Sequence, residues 1–370
     1  MKRLIVSVTN DLSSDQRVHK VCTTLQNMGF EVLLIGRYLK NSKPLQRTYQ
    51  IKRMRLLFTK GFLFYANYNL SLFFKLLFLR KNVLLANDLD TLLPNFLIGK
   101  LFRIPLVYDS HELFTEVPEL INRPFQQNFW LKIERYIFPN LKHVYTVNQS
   151  IANIYSEKYA VPVKVIRNIA PAFADKTIDA SFIKAVKGNK KMLILQGNGI
   201  NIDRGAEEAI SMMQYLDNCV LYIIGAGDVF ENLKTLVVKL ALSEKVFVKD
   251  KMPYSELMQY TKAADLGLSL DKNTNLNYEY SLPNKVFDYI QASIPLLVTN
   301  RKEVAKLVIE NNIGEVAKSL ESKALAQQVE NILKNIEQLK FWKSNLKKIS
   351  NIYTWKNESK ALIKIYKDLV

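Results

Sequence analysis

The segment YSLPNKVFDYI, residues 280–290, holds the side chains best placed for chemistry. Pro283 fixes the entry to a helix starting at Asn284, so the first N–H groups of that helix have no internal partners. Lys285 stands in the first turn, where a cation is unfavourable unless an anion binds. Asp288 shares its face and can accept hydrogen bonds from a sugar hydroxyl. A second turn, GNGINIDRG, lies between a strand and a helix. There Gly197 and Gly199, on either side of Asn198, let the backbone approach a ligand, and Arg204 adds a planar cation suited to a diphosphate. Gly225 and Gly227 form another turn of this kind, but position 230 is Phe, so the third glycine of a dinucleotide fingerprint is missing. The first βα turn, TNDLSSD, has no glycine, and nicotinamide chemistry is disfavoured. In YDSHEL, His111 and Glu112 fall just past a strand, where loops line the clefts of α/β sheets.

Short apolar runs alternating with helical patterns must position these residues. LIVSV, EVLLIG, residues 83–86, 105–108, 143–147 and 163–168 read as strands of one half. MLILQG, VLYIIG, residues 246–248, LGLSL and PLLVT read as strands of another. Such alternation implies parallel sheets covered on both faces, hence two doubly wound α/β domains with a cleft between facing strand ends. The expected organisation is a first domain at 1–168, a connection at 169–190 that includes Pro171, a second domain at 191–340, and terminal helices at 341–370.

The chain has 370 residues and a formal charge of +18, of which +13 lies before Asn168. Its 48% hydrophobic content excludes a disordered or fibrous protein. Cys22 and Cys219 suit a reducing compartment and neither a disulfide framework nor a metal cluster. Three histidines speak against a multi-histidine metal site, and Asp88 and Asp90, though spaced as a metal-binding pair, sit in a leucine-rich segment. No metal site is expected.

No acidic residue occurs from Val32 to Asn87, a stretch with eleven Lys and Arg, including Lys52, Arg53 and Arg55, and with Phe62, Phe64, Tyr65, Phe73, Phe74 and Phe78. A basic, aromatic-rich face suits an anionic partner: membrane phospholipid, a phosphate-linked lipid acceptor or nucleic acid. The alternative is a solvated loop beside an ordinary core helix. No nucleic-acid module is visible, so nucleic acid is not expected as a partner. No run of eighteen uncharged apolar residues is present, so the expectation is a cytoplasmic protein held peripherally at the inner face of the cell membrane.

In order and spacing, NDLSSDQRVHK, ANDLDTLLP, VYDSHELF, VYTVNQSI, VIRN, GNGINIDRG, LYIIGAGD, KVFVKDKMPYSEL, ADLGLSL, SLPNKVFDYI and a late Thr354, Trp355 pair resemble the retaining GT-B glycosyltransferases of family 4, group 1, over nearly the whole chain. The resemblance implies a donor-binding C-terminal domain, an acceptor-binding N-terminal domain and a final helix around Trp355 crossing back to the latter. It implies that Arg204 and Lys285 neutralise the leaving diphosphate, that Asp288 holds the ribose, and that His111 lies beside the transferred sugar. The donor pocket would also include Gly197, Asn198, Gly199, Gly225, Gly227, Lys251, Met252, Tyr280, Ser281, Leu282, Pro283 and Asn284, and the acceptor would meet Asp15, Arg17 and Glu112. Transfer would retain configuration without a metal or cofactor, from a UDP- or GDP-linked sugar to a glycan or lipid-linked acceptor in surface polysaccharide synthesis. The sequence departs from the family's acidic pair: the second member is Asp288 rather than Glu, and the first position is Tyr280, with Glu279 one step away. A non-catalytic sugar-nucleotide-binding or scaffold protein and a UDP-sugar 2-epimerase are the other readings the architecture allows.

Overall fold

A computed structural model describes residues 1–13, 15–40, 42, 44–169, 178–367 and 369. The chain divides into two units: residues 1–168, 275–277 and 357–370 form the first, residues 169–274 and 278–356 the second. Ser14 of the first βα turn and residues 170–177 of the expected connection, Pro171 included, lie outside the described residues.

The first unit carries a sheet of β1 (Arg3–Asp11), β2 (Glu31–Arg37), β3 (Gln50–Met54), β4 (Val83–Asn87), β5 (Leu106–Ser110), β6 (His143–Thr146) and β7 (Val163–Val165). They run side by side in the order β3-β2-β1-β4-β5-β6-β7, every neighbouring pair parallel. The second unit repeats the plan with β8 (Lys191–Gly197), β9 (Cys219–Gly225), β10 (Val246–Asp250), β11 (Leu266–Ser269), β12 (Leu296–Val298) and β13 (Gly314–Val316), ordered β10-β9-β8-β11-β12-β13 and again parallel. Central strands such as β4 and β9 are buried along their whole length, as strands covered by helices on both faces must be. Strand order reverses between β1 and β4 and between β8 and β11. At such points the connections leave in opposite directions and open a crevice at the C-terminal strand ends.

Two packing features aim the chemistry. In the helix Asn284–Ala292, Val286, Phe287, Tyr289 and Ile290 are buried. The Tyr289 hydroxyl donates to the carbonyls of Ile194 and Leu268, at 3.2 and 3.1 Å, which fastens this helix over β8 and β11. Gly267 makes room for the ring, since a Cβ there would lie 2.6 Å from it. In the first unit, the helix Gly61–Phe78 buries Phe64, Tyr68, Leu72 and Leu76 at four-residue spacing against the sheet. Phe64 is thus a core residue and not part of an exposed aromatic face.

Strands β3 and β13 are not anticipated by the hydrophobic pattern, because QIKRM and GEV are short edge strands with little apolar content. Lys52 and Arg53 therefore belong to a strand, and Arg53 lies 3.7 Å from Asp11, partly buried. The stretch 341–370 does not act as one piece. The helix Ile336–Ser350 joins the second unit because Leu339, Trp342, Leu346 and Ile349 make an apolar stripe that this unit's core covers. Gln291 secures the end of that helix by donating to the carbonyls of Ser350 and Tyr353, both at 2.8 Å. From residue 357 the chain belongs to the first unit, where Leu362, Ile365 and Tyr366 are buried, the Tyr366 ring edge-on to Phe30, and Glu358 accepts from the backbone and guanidinium of Arg167. The described part of the expected connection contains a helix, Ala180–Lys187, whose Val186 enters the second core. Among the described residues no helix is long and apolar enough to cross a membrane.

Replacing Leu346 by Ala should destabilise the second unit by about 2–5 kcal/mol, the usual range for a buried Leu. Urea unfolding followed by circular dichroism reads this; an unchanged midpoint would mean the helix is not seated in that core.

Candidate functional site

In the second unit, Asp271 follows β11 at the point where the strand order reverses, and its carboxylate is fully buried. Three cations from distant segments surround it. The Arg204 Nη1 lies 3.0 Å from Oδ1, while Lys285 Nζ and Arg301 Nη2 lie 3.5 and 3.2 Å from Oδ2. Ser269 donates a further hydrogen bond at 2.9 Å. Burial alone would raise the Asp271 carboxyl, yet Lys285, Arg301 and Arg204 hold it well below the usual carboxylate range. Burial lowers the Lys285 ammonium, Arg204 and Arg301 push the same way, and only Asp271 opposes them. Three cations thus gather on one buried carboxylate, with Glu279 a further charge acting on Arg301, beside the start of the helix Asn284–Ala292. An anion fits it.

Arg204 and Lys285, 81 positions apart, therefore meet at one carboxylate. Asp271 and Arg301 were missed as site residues. Their only signal is position, each being a charged residue just past a central parallel strand. The Arg204 guanidinium also lies over the Tyr278 ring, 4.1 Å from its centre. Pro283 stands at the entry to the helix without a side-chain cap, Asn284 is exposed at its first position, and Ser281 and Leu282 are half-buried ahead of it. Tyr280 lies beneath the Lys302 ammonium, 5.4 Å from ring centre to nitrogen.

Asp288 is engaged on both oxygens. Gln196 donates to Oδ2 and the Tyr254 hydroxyl to Oδ1, each at 2.9 Å. Gln196 is itself held by Thr261, which donates to its Oε1 at 2.7 Å. Tyr254 follows Lys251, Met252 and Pro253, of which Lys251 is exposed and Met252 half-buried.

The two glycine turns differ. A Cβ at Gly197 or Gly199 would meet only ordinary contacts, 3.7 Å from Ile200 and 4.0 Å from Asn201, and Asn198 is exposed beside them. At Gly225, whose φ is +156°, a Cβ would fall 1.8 Å from the Gly197 carbonyl oxygen, and at Gly227 1.9 Å from that of Ile200. Gly225 and Gly227 are therefore needed for one backbone segment to lie against another.

The first unit presents carboxylates at its own reversal point. Asp88, after β4, has φ 58° and ψ 166°, a conformation that costs a non-glycine residue about 1–3 kcal/mol. Its Oδ1 accepts the His111 backbone N–H at 2.7 Å and its Oδ2 lies 3.1 Å from His111 Nδ1. Asp109 Oδ2 lies 3.2 Å from the other ring nitrogen. Burial would lower the His111 pKa, but the two carboxylates raise it well above its ordinary value. Arg17 grips Asp109 in a two-pronged pair at 3.0 and 2.7 Å and donates to the Ile166 carbonyl at 2.9 Å. With its guanidinium buried and so occupied, Arg17 orients Asp109 and does not face an acceptor. Asp15 caps the first helix, accepting from the Val18 N–H at 3.0 Å and from Asn10 at 3.1 Å. Glu112 accepts from Asn277 at 2.9 Å; burial and then Asp88 push its carboxyl up to about 7. Asp90 is buried with Thr9 donating to it at 2.6 Å, and burial followed by Asp88 pushes it up to about 8.

Asp90 thus keeps its proton in the fold over a range where the unfolded chain, with a carboxyl pKa near ~3.9, has lost it. It costs stability progressively as pH rises from about 4 to about 8. Asp90→Asn should remove that cost, so the thermal midpoint of the variant should gain on the parent chain between pH 5 and 8, as read by unfolding scans at several pH values. A constant offset would contradict the assignment.

Two family models match the chain: Glycosyltransferase Family 4 over residues 15–170 and Glycosyl transferases group 1 over residues 178–349. No curated protein sequence matches it. Among solved structures, a sucrose-phosphate synthase from Thermosynechococcus elongatus is 13% identical with a TM-score of 0.78, covering 100% of this chain and 99% of that one. HepE from Anabaena, in complex with UDP and glucose, is 14% identical with a TM-score of 0.77 and full coverage of both chains. WaaG, a glycosyltransferase involved in lipopolysaccharide biosynthesis, is 15% identical with a TM-score of 0.75, covering 98% of this chain and 99% of that one. These likenesses assign the GT-B fold. With one model on each sheet-bearing half, the chain belongs to the family 4, group 1 glycosyltransferases.

Proposed function

We propose that this glycosyltransferase moves a sugar from a nucleoside-diphosphate donor, with retention of configuration and without a metal, to a glycan or lipid-linked acceptor in surface polysaccharide synthesis. The observation that carries the donor assignment is the meeting of Arg204 and Lys285 at Asp271. As the bond between the sugar C1 and the diphosphate oxygen breaks, negative charge grows on that oxygen. Two fixed cations and a helix start can stabilise it in place of a metal. Asp288 is set to exchange the Tyr254 hydroxyl for a ribose hydroxyl. The UDP and glucose bound to the Anabaena protein favour a uridine nucleotide. His111, held between two carboxylates, is the first unit's contact to the transferred sugar.

The acceptor side is read as working at an anionic membrane surface, on the cytoplasmic side. The helix Gly61–Phe78 turns Phe62, Leu63, Leu70, Phe74 and Phe78 to solvent. Leu97, Leu101 and Phe102 are exposed on the helix Leu89–Phe102, and Arg80, Lys100 and Arg103 are exposed among them. Exposed apolar side chains interspersed with cations are the chemistry of an interfacial anchor.

Lys285→Ala should lower turnover by two orders of magnitude or more, in line with loss of one donor that stabilises a developing oxyanion (about 10²–10³-fold). Near-normal turnover would remove Lys285 from the mechanism. A thermal-shift series with UDP-, GDP- and ADP-sugars identifies the donor, since a ligand at 100 times its dissociation constant stabilises by roughly 2.7 kcal/mol. Slow release of free sugar from that donor separates a transferase from a protein that only binds it. Replacing Leu70 and Phe74 together by Glu should abolish sedimentation with anionic liposomes while leaving the thermal midpoint unchanged, and retained sedimentation would refute the membrane reading.

A further inference from the structure

Arg301 stands just past β12 and is completely buried. Its guanidinium works in two directions. On one side Nη2 meets Asp271 at 3.2 Å and Nε donates to Thr299 Oγ1 at 3.3 Å, while the Thr299 hydroxyl donates to the Asp271 backbone carbonyl at 2.6 Å. On the other side Nη1 donates to the Tyr278 carbonyl and to Ser281 Oγ, both at 2.6 Å. Tyr278 is the residue whose ring lies under Arg204, and Ser281 leads into the segment that carries Lys285. One buried cation therefore ties the carboxylate of the site to the loop that shapes it.

Charge balance gives this tie a purpose. A diphosphate that recruits Arg204 and Lys285 draws both away from Asp271. A buried carboxylate stripped of every partner is strongly unfavourable. Arg301 has no path to solvent and is held by Tyr278, Ser281 and Thr299, so it stays in place. We propose that Arg301 is a positioning residue of the donor site: it remains the standing counter-ion of Asp271, which frees Arg204 and Lys285 for the diphosphate, and it fixes Tyr278 and Ser281 beside them. This rests on the donor-site reading above.

The test uses the full chain and titration calorimetry with UDP, GDP, ADP and inorganic pyrophosphate, with uridine, guanosine and adenosine as uncharged controls. Arg301→Met should weaken pyrophosphate and the preferred nucleoside diphosphate about tenfold or more, while the matching nucleoside changes less than about twofold. In an Asp271→Asn background the same replacement should cost less than about threefold, because the carboxylate that needs a counter-ion is gone. Arg301→Lys keeps the charge but cannot span both sides, and should recover pyrophosphate binding only in part. Unchanged pyrophosphate binding in Arg301→Met overturns the inference, as does equal loss of nucleoside and diphosphate, or a loss undiminished in Asp271→Asn. If Arg301→Met does not fold, Arg301→Lys decides, and wild-type affinity in that variant overturns the inference. A parent chain that binds none of the four diphosphate probes refutes the donor-site reading and this inference with it, whereas a parent that binds and variants that match it refute the inference alone.

Discussion

The second unit's site is organised around one buried carboxylate. Arg204, Lys285 and Arg301 arrive from the turn after β8, the first turn of a helix and the end of β12. Three cations drawn together out of water would repel one another across a low dielectric. Asp271 makes their assembly tolerable, and the parallel sheet makes it possible, because parallel strands deliver all their C-terminal ends to one edge. The Tyr289 hydroxyl on the carbonyls of β8 and β11 does the remaining work by holding the Lys285 helix at a set height over that edge.

The first unit uses the same edge with the opposite sign. Asp88, Asp90, Asp109 and Glu112 gather around a single histidine, and Arg17 is spent on orienting Asp109. In a chain of formal charge +18, this crevice gathers carboxyl groups, Asp90 among them pushed up to about 8, while exposed Lys and Arg lie among exposed Phe and Leu of two helices. The reversal points of the two sheets thus differ in chemistry, surplus cations at one and carboxyl groups around a histidine at the other, and the Asp88 backbone conformation is part of the latter.

The architecture was legible because central parallel strands are apolar runs with little else in them. LIVSV, VLYIIG and LGLSL could hardly be anything but buried strands. Of the four edge strands, β7 and β10 keep enough valine to show, whereas β3 and β13 carry no such mark and were not. At the site, Arg204 and Lys285 were readable from their turns and helix start. Asp271 and Arg301 were not, because a lone charged residue after a strand becomes informative only when its partners, up to 67 positions away in the Arg204 pair, are known. The packing need for Gly225 and Gly227 was hidden for the same reason: the backbone that crowds them lies 27 or more residues earlier in the chain. Arg17 sits in a polar run that looks solvent-exposed, and its pairing with Asp109, 92 positions on, buries it.

The division of the chain bears on how it is made. The first unit's core includes Leu362, Ile365 and Tyr366, and the ring of Tyr366 fills space beside Phe30. Synthesis therefore completes every residue of the second unit before the first can close its interior. During that interval the first sheet has all seven strands but lacks the segment that carries Leu362, Ile365 and Tyr366, so the apolar surface around Phe30 stays uncovered. The half that begins the chain is thus the half whose core is completed last.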